Sequence, residues 1–169
     1  MSAPSAAFTS VRAFTAAEAH LHRQARGITA TVAATLNAQF PTAAFLVIAR
    51  HEVEYQDVLV LHSLRNLDGT LVYTFPADDA ELRAARLPVL RDRVLRRAWG
   101  ELDPQQPAHL RNLVHRIDIA DDFLHLHTFD RPLLPDLPRR AAHPNDPHAD
   151  PLICLPLTAA AARAAAYGS

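Results

Sequence analysis

Between Leu21 and Leu36 the apolar residues recur at spacings of three and four: Leu21, Ala25, Ile28, Val32 and Leu36 line one face of a helix. Thr15 followed by Glu18 forms a capping box ahead of that stripe, in which each side chain satisfies a free backbone N–H, and Pro41 stops the helix. Gly27 lies inside it, costs about 1 kcal/mol relative to alanine, and marks where the helix would kink. The period then changes. Phe45 to Ala49 is almost wholly apolar, as in a strand buried on both faces. Val58 to Leu64 is aliphatic with His62 inside it, and Leu71 to Phe75 alternates. Asn66-Leu67-Asp68-Gly69 supplies turn chemistry between the last two runs, because Asp-Gly accepts positive φ. Short connections favour antiparallel pairing, so the three runs predict a meander with the first helix as its covering layer.

After Pro76 the pattern is helical again. Leu90, Val94, Leu95 and Ala98 form the apolar face of a helix expected to start at Pro88, with Trp99 beside it and Gly100 at its end. Asp103-Pro104 with Gln106 is read as the cap of a further helix, whose stripe is Leu110, Leu113, Val114 and Ile117 and which stops near Asp121-Asp122. Residues 123–129 fit a strand or a helical turn equally well. From Arg131 to Pro156 the chain holds seven of its thirteen prolines with little periodicity, and Thr158 to Tyr167 is alanine-rich and helix-compatible. The expected architecture is α+β and two-layered. A small antiparallel sheet of three to four strands is covered by the long N-terminal helix and two later helices. Its organisation is a flexible tail over 1–12, a single domain over 13–130, and a proline-rich arm over 131–169 ending in a short helix.

Composition narrows the class. A chain of 169 residues is the size of one domain and can bury roughly 70% of its unfolded surface, so it needs no staples. Cys154 is the only cysteine, which excludes an intrachain disulfide, and its setting in Leu152-Ile153-Cys154-Leu155 favours packing over reactivity. All 17 basic residues are arginine. That is the bias of a GC-rich, expectedly bacterial genome, and it removes Schiff-base and P-loop lysine chemistry. The net charge of −1 argues against wholesale binding to nucleic acid or an anionic membrane. No apolar run is long enough to span a bilayer, and the first ten residues lack the pattern of a secretory signal, so the cytoplasm is the expected compartment.

Two groups of residues are candidates for chemistry. Six arginines against one acid, Asp92, lie between Arg83 and Arg97; on the expected Pro88 helix Arg93, Arg96 and Arg97 would present guanidinium forks to carboxylates or phosphates. The simpler reading is a solvated helix face. The second group is His125, His127 and Asp130. On a strand the two imidazoles would share a face and hold a divalent metal with Asp130, or with a distant histidine such as His62. On a helix they would not. Four glycines leave no room for a glycine-rich phosphate loop, and no Gly-x-Ser-x-Gly elbow exists. The residues therefore point to a non-catalytic protein that contacts a macromolecular partner, a protein above all, through the Arg-bearing helix or the proline-rich arm. Nucleic-acid binding is a variant of that reading. A metal-dependent hydrolase or metal-binding domain on His125, His127 and Asp130 is the alternative.

Overall fold

The computed structural model describes residues 10–53, 56–120, 127–128 and 152–167. Helix α1 (Val11–Gln39) is followed by strands β1 (Phe45–Val53), β2 (Gln56–Arg65) and β3 (Leu71–Thr74). Then come helices α2 (Asp79–Ala84), α3 (Arg93–Ala98) and α4 (Pro107–Ala120), strands β4 (His127–Thr128) and β5 (Ile153–Pro156), and helix α5 (Ala159–Tyr167). The strands form one sheet of order β3-β2-β1-β5-β4 in which every neighbouring pair is antiparallel. The expected α+β class, the meander β1-β2-β3 and the covering N-terminal helix are all present. The strand beside β1 on its other edge is β5, drawn from the proline-rich stretch that was expected to be an arm.

Helix α1 begins at Ser10, whose Oγ accepts from the Ala13 N–H at 3.2 Å. The expected cap Thr15 lies inside the helix instead, and its hydroxyl donates to the Val11 carbonyl at 3.1 Å. A serine whose backbone is extended outcompetes a threonine whose hydroxyl is already spent on its own helix. The helix expected from Pro88 is also shorter than its apolar spacing suggested. Asp92 caps it, accepting from the Val94 and Leu95 N–H groups, so α3 is six residues long. Its predicted apolar face is kept only in part: Leu90 is buried and Leu95 half-buried, but Val94 is 78% exposed and Ala98 is exposed, and the chain buries Leu87 before the helix and Trp99 after it. Helix α4 starts at Pro107; the Gln106 side chain does not complete the expected capping box with Asp103, and its amide donates to the Arg83 carbonyl at 2.6 Å instead.

The principal core lies between α1, α4 and one face of the sheet. Val32 and Leu36 of α1 meet Leu46 and Ile48 of β1, Leu59, Leu61 and Leu64 of β2, and Leu110, Val114 and Ile117 of α4. Alternate residues Phe45 and Cys154 point to the opposite face, where Ala161 of α5 covers them. Strict alternation along β2 would put Leu61 and Leu64 on opposite faces. A bulge resolves this: Val47 pairs with Ser63 and Ile48 with Leu61, leaving His62 as the extra residue. Gly69 has φ of 90° in the β2–β3 turn, where Asp-Gly was expected to supply it.

Two polar ties fix where α3 and α4 sit. The Trp99 indole N–H donates to Thr35 Oγ1 at 2.9 Å, holding the end of α3 to α1. The Gln39 amide, at the C-terminal end of α1, donates to the carbonyls of Pro88 and Pro104 at 2.8 and 3.0 Å. Pro104 just precedes α4, whereas Leu113 and Ile117 share a groove with Leu21 and Ile28. Helices α1 and α4 therefore run antiparallel.

Candidate functional site

The longest element is only half used. From Val11 to Leu21 every residue of α1 is exposed, and the burial of its stripe starts at Ala25. At 1.5 Å per residue, about 20 Å of helix extends beyond the first buried position. Where α1 meets the body, a groove of about 320 Å³ opens between it and α4. Its walls are Leu21, Ala25 and Ile28 on one side and Leu113 and Ile117 on the other, with Trp99 and Leu102 between them. Of the six residues of α3 only the last, Ala98, reaches the wall. A volume of this size, mostly apolar with a few polar groups at its edge, suits an apolar side chain or a small apolar ligand. Arg116 and Gln24 supply the polar edge.

Arg93 and Arg97, one turn apart on α3, share an exposed face, and neither has a carboxylate partner among the described residues. Arg96 is turned away from that use, because its guanidinium donates to the Leu90 carbonyl in its own approach loop. Arg83 and Arg86 are committed too. Arg83 pairs with Asp79 at 3.4 Å, and Arg86 donates to the carbonyls of Arg83 and Ala85 and to Gln106 Oε1. A polar hollow of about 420 Å³ lies beside them, but His109 Nδ1 already accepts from the Asp103 N–H there, at 3.0 Å, and Asp103 adds a carboxylate. It offers an anion no clean set of donors.

His125 and Asp130 lie outside the described residues. His127 stands on β4, opposite Cys154 of β5. The distant ligand His62 stands on β2, with β1 and β5 between the two strands, so about 14 Å separates their backbones. His62 is instead engaged locally: its Nδ1 lies 2.9 Å from Ser63 Oγ, which accepts from Arg65 Nε at 3.4 Å. Burial, and then the neighbouring Arg65 charge, hold the His62 imidazole below its ordinary pKa. No group of three or more metal-ligating side chains occurs among the described residues. Burial pushes the Cys154 thiol well above its usual range, which leaves it a packing residue and not a nucleophile.

No family model, curated protein or solved structure matches this chain. The site must be read from its own chemistry. No described helix is long and apolar enough to cross a membrane. The groove residues that the sequence did not single out as a site are Trp99, Leu102 and Arg116. The available signal was the stripe Leu21, Ala25 and Ile28, which reads as core in a sequence and becomes a groove wall only when nothing is laid against it.

Proposed function

We propose that the protein is a non-catalytic interaction protein that takes an apolar helical segment of a protein partner into the groove between α1 and α4. The supporting observation is the continuity of the apolar surface, which runs from the core at Val32, along Ala25, Ile28 and Leu21, and out onto the exposed half of α1. Helix-in-groove binding uses such a surface, with side chains three, four and seven residues apart as anchors. Arg97, next in sequence to Ala98 of the wall, and Arg116 on the wall give the groove a polar rim, and a guanidinium at a rim steers more than it binds. The Arg-bearing helix of the sequence reading thus becomes the border of the contact and not its centre.

A photo-reactive residue placed at Gln24, on the groove edge, is expected to cross-link a defined partner in the native cell. The same residue at Arg163, on the exposed side of α5, is expected to capture nothing in common with it. Indistinguishable products from the two positions, or none from either, would overturn the reading.

A further inference from the structure

The free half of α1 and the groove beside its other half match each other, yet one rigid helix cannot fold back to join them. Along α1, Val11, Phe14, Leu21, Ala25 and Ile28 fall on a heptad repeat of alternating steps of three and four, with Glu18 in its one polar place. Val11 is 82% exposed, Phe14 62%, Leu21 50% and Ile28 39%. We propose that the occupant of the groove is a second copy of this chain. The two α1 helices pack antiparallel about a two-fold axis beside residues 19 and 20, with Phe14 of each over Ala25 of the other and Val11 over Ile28. This rests on the groove being an interaction surface and names what fills it.

The register sets a large side chain against a small one at both ends, and each copy contributes the same patch, as an isologous interface requires. Arg12, Arg23 and Arg26 all fall on the outer positions of the repeat, and Thr15, His22, Gln24, Thr29 and Thr31 flank the contact. Glu18 meets Leu21 of the other copy, which weakens the pair but penalises any shifted register. Covering these side chains and the groove walls in both copies buries on the order of 1,000 Å² in total, the lower edge of what specific interfaces need. An interface of that size is weak and reversible.

Sedimentation equilibrium of the full chain, from about 1 to 200 µM, is expected to show the mass rising from 18.6 kDa towards twice that value. Phe14→Glu should stay monomeric throughout and, at the dilute end where the parent is monomeric too, keep its melting temperature, because Phe14 lies outside the core. Glu18→Leu should dimerise at about tenfold lower concentration. A wild-type chain that stays monomeric at the highest concentration overturns the proposal, and so does a dimer that survives Phe14→Glu. If the chain is monomeric while Gln24 still cross-links a different protein, only the second copy is rejected; if the cross-link is missing too, the interaction reading falls with it.

Discussion

The two halves of α1 carry the same kind of apolar stripe and meet opposite fates. Over residues 25–39 the stripe is closed in: Val32 and Leu36 are 0% and 1% exposed, and Thr35 beside them is fully buried under Trp99. Over residues 11–24 the stripe stands in the open. Helical periodicity is thus a statement about where apolar side chains lie on a cylinder, and the partner that covers them comes from elsewhere. Here α4 and the sheet cover one half, and α3 stops too soon to help the other.

The sharpest way to test this contrast is a matched pair of truncations. Leu36→Ala should cost about 3 kcal/mol of folding stability in urea unfolding, the usual price of a core cavity, whereas Phe14→Ala should stay within about 0.5 kcal/mol of the parent. Equal losses would mean the two halves do not differ. Thr35→Val removes the acceptor of the buried Trp99 indole and should cost about 1–3 kcal/mol, read as a lower unfolding midpoint and altered indole emission. Gly27 sits at the junction with nothing within 4 Å of an added Cβ. Gly27→Ala should therefore raise the midpoint by the equivalent of up to about 1 kcal/mol. If it does not, the junction is already frayed and contributes no helix to stiffen. Ser10→Ala should leave global unfolding nearly unchanged while hydrogen exchange quickens over the first turns of α1, since the cap acts only where the helix is free.

The smallest effect expected lies on the sheet and serves as the reference for the others. The His62 pKa is depressed in the fold, so the unfolded chain binds more protons near pH 6. Stability is then complete above the ordinary histidine value of 6.5 and declines as the pH falls through it. His62→Gln should flatten that decline below the ordinary histidine value, and the response should be the same in chains with either half of α1 altered.

Much of the fold was legible because local signals agreed with burial. The run from Phe45 to Ala49 is buried on both faces as its composition predicted, and the stripe of α4 at Leu110, Val114 and Ile117 packs as spaced. The readings that failed did so where a capping side chain overrode periodicity: Asp92 cut α3 short, and Ser10 started α1 early. The bulge at His62 was equally hidden, since an extra residue in a strand leaves no mark of its own in an aliphatic run. Strand β5 escaped detection because prolines flank it and Pro156 ends it. The groove was illegible for a different reason: it is made by what α3 does not cover, and the length of α3 depended on one aspartate.

The position of β5 also has a consequence for how the chain is born. Phe45 to Ile48 find one neighbour, β2, almost at once, but the other edge of β1 pairs only with residues 153–156. Those residues are made roughly a hundred positions later, on the order of 5–20 s at the pace of synthesis. During that interval the apolar edge of Phe45 to Ile48 waits unpaired beside the ribosome, which is the condition under which nascent sheets recruit the wrong strand.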